Sequence, residues 1–552
     1  MRLKSFLLWA APLTFVAVLF YWPLLRVLHL GFGSHLIGTI PTEISIWPVL
    51  WFTIWQAMLS TLIALVLGIP GAYVLYRKNF KGAAVLRSLI TVPFMLPSLV
   101  IAIAITELGA LFGALDPVVA IILANVFANY AVVVRTVGSQ WQTLDTQTDE
   151  AAEVAGAGRL RSTLKVALPQ LRSSIRSSSA IVVLYCASSY GIVLSLGGGK
   201  VNTLETAISV SVLQRLDLQH GAALALLQIA FCLAAFTASR WGGTNPLSFE
   251  PMASKAASLD SRDKPAVFFV LITSVLLVFL PLVLVLAKAF ISNTGEFTFT
   301  NFLLLNSKGS RDLLNITLFD AGINSIRNML IATAVSFLVG ALVSYLLAEH
   351  SRRHVRTNKR TDVLGIGLDA YFLLPIGVSS VVIGLGYLIT LTGNIAWLRS
   401  AWYLVPLVQA MLAIPMVVRV LYPALLAIDH ATREQAMTDG ARKRQIFFYV
   451  DLALVKPVLK TAIAFSALVS LGEFGAASLL AYGDQSTVPM LMYQLISRPG
   501  NQNYGMALAV ATILTIITTL VVLYVSKETS SLNRNFNLNS LRVLIYQNKV
   551  SI

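Results

Sequence analysis

The chain has 552 residues, of which 57% are hydrophobic and only 12% charged, with a net charge of +16 and a mean hydropathy of +0.76. Soluble globules carry charge on about a quarter of their residues, so this composition argues against a soluble enzyme or binding module and predicts a polytopic membrane protein. The lysines and arginines fall between apolar runs rather than in one groove-forming domain, so charge sorting by a membrane explains the basic excess and no nucleic-acid partner is expected.

Apolar runs of about 20 residues recur, each long enough at ~1.5 Å per residue to cross about 30 Å of hydrocarbon. Arg2 and Lys4 precede the first, 6–28, whose length and lack of a clear small-residue cleavage site read as a span rather than a cleaved signal. Five more follow at 54–76, 88–110, 117–137, 177–196 and 221–239. Six further runs occupy 265–289, 325–347, 368–391, 401–426, 461–481 and 503–525. The chain thus divides into a first six-span domain over 1–240, a linker over 241–264, a second six-span domain over 265–526 and a tail over 527–552. Gly242, Gly243, Pro246 and Pro251 make the linker a tether rather than a catalytic domain. The fold class is all-α, two homologous six-helix bundles with about 12 spans.

Lys and Arg concentrate in alternate loops: Arg77, Lys78 and Lys81; Arg159, Arg161, Lys165, Arg172 and Arg176; Arg352, Arg353 and Arg356; Arg442, Lys443 and Arg444. That bias predicts both termini in the cytoplasm, with membrane lipid around the spans. Cys186 and Cys232 lie in apolar runs and the six histidines are scattered, so neither a disulfide framework nor a metal site is expected.

Two of the basic loops are copies. Residues 139–176 recur 284 positions later, so that Asp145 matches Asp429, Glu150 matches Glu434, Ala152 matches Ala436 and Gly156 matches Gly440. Arg135 and Arg419, Gly191 and Gly475, and Thr203 and Thr487 keep the same register. One offset held over that length marks two copies of one membrane unit. In the first copy Thr148 or Asp149 caps a short helix, Ala151, Ala152 and Ala155 let a partner approach the backbone, and Gly156 and Gly158 permit a bend. An interfacial helix on anionic lipid is the rival reading for one copy alone; two copies in equivalent loops argue against it.

These segments resemble the EAA loops of bacterial ABC-importer permeases, whose pattern is E-A-A, three residues, G, and a later L-P. The first copy has Glu150-Ala151-Ala152, Gly156 and Leu168-Pro169; the second has Glu434-Gln435-Ala436 and Gly440, with Ala453 in place of the proline. The stretches 51–77, 194–208 and 470–480 resemble the fused thiamine and iron(III) permease group of that class. The resemblance implies a type I importer permease for thiamine or its phosphates, or for ferric iron. Residues 146–158 and 430–442 would then be paired docking elements, with Asp145, Glu150, Ala151, Ala152, Gly156, Asp429, Glu434, Ala436 and Gly440 coupling to two copies of an ATPase subunit on the cytoplasmic face. An external substrate-binding protein is the other implied partner.

No GxxxxGK[ST] loop is present, so no cofactor is expected on this chain, and ATP and Mg belong to the partner ATPase. No paired carboxylates, histidine cluster or nucleophile with a base suggests catalysis, and a secondary transporter without an ATPase is the rival from another class. Glu473, in LGEFGAA, should face protein or a water-filled path, because hydrocarbon exposure costs about 3 kcal/mol. Its counterpart is Ser189; both, with Glu107, are candidate translocation-path residues. Pro97 and Pro375 are expected to kink spans 3 and 9 as part of a moving hinge. Arg135 and Arg419 either snorkel to headgroups or brace the adjacent docking segment. Tyr493 and Arg498 are placed in the last external loop.

Overall fold

The computed structural model describes residues 3–33, 46–144, 151–240 except 153 and 157, 257–356 except 293 and 294, 363–391, and 401–535 except 429, 482 and 499. Among these residues, nine helices are long and apolar enough to cross a membrane: Leu8–Gly33, Ile46–Arg77, Pro117–Thr143, Leu218–Ser239, Ser261–Ala289, Leu318–Arg352, Leu404–Leu426, Ile446–Gly472 and Asn501–Lys527. Three more spans are bent helix pairs, Ala83–Met95 with Ser98–Ala110 (105°), Thr163–Ala187 with Tyr190–Leu196 (50°), and Leu364–Gly377 with Ser380–Thr390 (94°). Taken together they are the twelve expected spans, numbered 1 to 12 in chain order.

Several boundaries differ from those the apolar runs suggested. Span 2 starts at Ile46, before the apolar run, because Trp47, Trp51 and Trp55 continue the helix with exposed rings of the kind that sit at a membrane interface. The last helix continues to Asn535, past the expected start of the tail. The stretches read as external loops after spans 5 and 11 contain short apolar helices, Leu204–Leu213 and Val488–Ser497, both packed into protein. Hydropathy windows miss such helices because ten residues are too few to span. Tyr493 is consequently half-buried on a helix rather than in a loop, while Arg498 is exposed.

The two halves are built alike. In the first, spans 2, 4 and 5 pack together; in the second, spans 8, 10 and 11 do. Glycine sets the closest approach in each: a Cβ on Gly68 would lie 2.7 Å from Val133 Cγ1, and one on Gly340 would lie 2.6 Å from Val417 Cγ1. Buried polar side chains fix the register. Gln56 donates to Cys186 O (2.9 Å) and accepts from Asn125 (2.9 Å), and at the position matching Asn125, Gln409 accepts from Ser470 (2.8 Å). Each short helix is moored identically: Leu204 N donates to Thr53 Oγ1 at 3.0 Å and Val488 N to Ser325 Oγ at 2.9 Å.

The halves also exchange partners. Spans 1 and 6 pack on span 9 of the other half, and spans 7 and 12 pack on span 3. Span 1 contains a π-helical turn, Ala17–Tyr21, whose wider winding frees carbonyls. Tyr387 of span 9 donates to Leu19 O there (2.7 Å), and Tyr371 and Tyr21 stack at 4.5 Å while donating to Leu13 O and Tyr371 O. On the opposite side Tyr504 of span 12 donates to Glu107 of span 3 at 2.6 Å. The linker's end closes the arrangement: Ala257–Ser258 pairs in parallel with Lys78–Asn79, and Lys78 meets Asp263 at 3.0 Å.

Because Gly340 has no room for a side chain, Gly340→Val should destabilise the protein by about 1–3 kcal/mol, read as a lower unfolding temperature in detergent. Gly322→Ala on the same span, where nothing lies within 4 Å, should leave that temperature unchanged.

Candidate functional site

The bends of the two repeated segments share one geometry. Gly156 has φ +84° and Gly440 has φ +86°, a left-handed conformation that glycine alone adopts without strain. In the second copy the helix His430–Thr438 ends there, with Gly440 N donating to Met437 O (3.0 Å) and Ala441 N to Ala436 O (2.9 Å), a glycine-closed helix terminus. Nothing lies within 4 Å of a Cβ placed on either glycine. Val154 is 90% exposed and Met437 44%, so each bend carries an uncovered apolar side chain. Ala151 and Glu434 are exposed, and Ala152 and Ala436 half-buried. Asp145, Glu150 and Asp429 lie outside the described residues.

Arginines at the ends of spans 2 and 8 hold the entrance to each segment. Arg77 Nη1 donates to Leu144 O at 2.8 Å, and Arg352 donates to Leu425 O. The second segment is fastened once more, since Arg433 pairs with the buried carboxylate of Asp451 and lies 4.0 Å from Glu349. From the sequence Arg77 and Arg352 register only as orienting charges; the fold brings them to the ends of spans 4 and 10. Both segments exit through a π-helical turn, Thr163–Ala167 or Ile446–Asp451, directly into spans 5 and 11. Pro169 directly follows the first π-helical turn, and although Ala453 replaces it in the second copy, that exit passes through a π-helical turn as well.

Spans 5 and 11 break at equivalent places. In span 11 the break is at Glu473, 8% exposed, whose carboxylate accepts from Ala476 N (2.7 Å) and Ala477 N (3.1 Å) of the helix Gly475–Leu480 that follows. A carboxylate on the positive end of a helix compensates its own burial. Ser189, at the matching break, instead donates to Cys186 O at 2.8 Å. Each break rests on a bent span: Gly191 abuts Ser98, Gly475 abuts Ser380, and a Cβ on Gly472 would lie 3.4 Å from Pro97 Cα.

Pro97 thus stands at the bend of span 3, ahead of the helix Ser98–Ala110. Pro375 lies in a 3-10 turn, Leu374–Gly377, just before the bend of span 9, and its counterpart by position is Pro93; Ser379 occupies the place of Pro97. Glu107, 7% exposed, is taken up by Tyr504. Arg419 is 6% exposed inside span 10 and within electrostatic reach of Tyr185 of the other half, while Arg135 is half-buried. Among the described residues no group of three or more His, Cys, Asp or Glu side chains is arranged to hold a metal.

This architecture, two interlocked bundles each offering one bent segment at the same end of the molecule, is that of a membrane permease. The family model described as "Binding-protein-dependent transport system inner membrane component" matches the chain twice, over residues 60–241 and 358–527, and the chain belongs to that family. It is accordingly a multi-pass inner-membrane transport subunit of the ABC-importer permease class and not itself an enzyme.

Among relatives, the thiamine transport system permease protein of Escherichia coli (strain K12) is 27% identical over 480 residues, 83% of this chain and 85% of that protein. The thiamine transport system permease protein of Brucella abortus (strain 2308) is 24% identical over 510 residues, 89% of each chain. The molybdenum transport system permease protein of Escherichia coli (strain K12) is 29% identical over 171 residues, 28% of this chain and 74% of that protein.

Arg433→Ala should leave the Asp451 carboxylate buried without its cation, at a cost on the order of 3 kcal/mol. Hydrogen exchange over 430–438 should then accelerate, with span 10 unchanged; equal exchange in both proteins would show that the pair does not hold the segment.

Proposed function

We propose that this chain is the permease of a thiamine importer. The observation that carries the substrate is the match to thiamine permeases over 83% and 89% of the chain, whereas the molybdenum relative matches little more than a quarter of it. The two glycine-bent segments support the mode of action. Each offers an uncovered apolar residue beside a bend and leads through a π-helical turn into a span that ends at the interface between halves.

In this reading two copies of an ATPase subunit seat on residues 146–158 and 430–442 in the cytoplasm, where both termini also lie. ATP and Mg are held by those subunits, and an external binding protein delivers thiamine to the opposite face. Closure of the ATPase pair pushes on both segments at once, and spans 5 and 11 transmit the movement to the breaks at Ser189 and Glu473. Alternation between an outward and an inward opening then carries the substrate across.

Gly156→Val and Gly440→Val put a β-branched residue where φ is positive, at a cost of about 1–3 kcal/mol. In liposomes holding the full importer, thiamine uptake should fall at least about tenfold in each variant, with less ATPase subunit co-purifying. Normal co-purification and uptake in both would remove these segments from the docking surface. A wild-type importer that moves no thiamine would overturn the substrate.

A further inference from the structure

Tyr190 and Phe474 are equivalent in the repeat, each at the start of the short helix beyond the break of spans 5 and 11. They come from different halves and stack on one another, with ring centroids 5.3 Å apart and planes 19° apart. Tyr493 adds a third ring 5.7 Å from Phe474. The Tyr190 hydroxyl shares a hydrogen bond with Ser209 at 2.7 Å and lies 3.5 Å from Ser478.

Beside this stack lies a carboxylate that has no part in the symmetry. Glu205, on the helix Leu204–Leu213, is 1% exposed and acts electrostatically on Tyr190. Its Oε1 accepts from Gln228 Nε2 at 3.2 Å, and the Ser379 side chain of the other half and the Tyr190 backbone also interact with the carboxylate, yet Oε2 lies buried with no hydrogen bond of full geometry. The contrast with Glu473 is informative, since both oxygens there are bound by the amides of its own helix. A structural strut does not explain Glu205 either. The position matching it is Pro489, and the helix Val488–Ser497 keeps the same mooring and the same buried face without a carboxylate. An anionic oxygen buried with an unused lone pair is unfavourable unless a proton or a cation compensates it, so the closed site favours the protonated carboxyl and an arriving cation favours the carboxylate.

We propose that Glu205 and the faces of Tyr190 and Phe474 form a binding site for an aromatic organic cation between the halves, closed in this structure by the two rings stacking on each other. The carboxylate supplies the opposite charge and excludes anions of the molybdate type. The ring faces offer stacking and cation–π attraction to a flat cation once they separate. The inference rests on the thiamine reading, because thiamine joins a thiazolium cation to an aromatic pyrimidine. Parting of the halves at the breaks of spans 5 and 11 pulls the two rings away from each other, so opening the path and uncovering the site are one movement.

The test uses the full importer, with its ATPase and binding protein, in liposomes. Glu205→Gln keeps the shape and removes the charge. Thiamine uptake per ATP hydrolysed should fall at least about tenfold, while ATPase co-purification and hydrolysis stimulated by thiamine-loaded binding protein stay within about twofold of wild type. Uptake within about twofold of wild type overturns the site. Should the glutamine variant not assemble, Glu205→Asp decides: it retains the charge one methylene further back and should raise the KM for uptake about three- to tenfold at unchanged stimulated hydrolysis. An unchanged KM, or failure of both variants to assemble, overturns the proposal. A wild-type importer that moves no thiamine overturns the proposed function and this site with it, whereas wild-type uptake that Glu205→Gln leaves intact overturns the site alone.

Discussion

A helix that breaks inside a bilayer presents amides and carbonyls that lipid cannot satisfy, so every break must be sealed by protein. This chain breaks spans 3, 5, 9 and 11 and seals the breaks against one another. Gly191 closes on Ser98, Gly475 on Ser380 and Gly472 on Pro97, and the Glu473 carboxylate occupies the amides of the helix it precedes. The exchange of spans between halves follows from the same constraint. Spans 1 and 6 cover the bend of span 9, spans 7 and 12 cover that of span 3, and tyrosines supply donors to freed carbonyls.

Such an arrangement can move without losing its seal. Spans 2, 4 and 5 are joined by buried hydrogen bonds and glycine contacts, and in the second half a glycine contact joins spans 8 and 10 and a buried hydrogen bond joins spans 10 and 11, whereas the contacts between breaks are small residues and one stacked ring pair. Firmly packed bundles that meet through small residues at their breaks favour rigid-body displacement there over internal repacking. In the proposed importer the docking segments sit at the far ends of spans 5 and 11, so the element that receives force also carries the aromatic pair.

Duplication accounts for the framework, and departures from it mark the places with individual roles. Gly156 and Gly440 have nearly identical backbone angles, and Thr53 and Ser325 moor their short helices alike. Against that background Glu473 faces Ser189 and Glu205 faces Pro489 across the repeat. Arg433 and Asp451 fasten the second segment by an ion pair. The first difference is absorbed by helix capping; the second leaves an oxygen unfilled.

What the chain alone determined is whatever depends on local composition and spacing. Apolar length set the twelve spans, a single offset revealed the duplication, and glycine at 156 and 440 predicted the two bends, because a left-handed turn selects its residue directly. Tertiary structure decided what depends on neighbours far away in sequence. It turned two presumed outer loops into buried helices, placed Pro97 at a bend and Pro375 just before one, and gave Glu473 to a helix end. It also brought Tyr190 onto Phe474 beside Glu205. Hydropathy registers that a carboxylate is surrounded by apolar residues, but whether its charge is compensated depends on which amides and rings the other half brings to it.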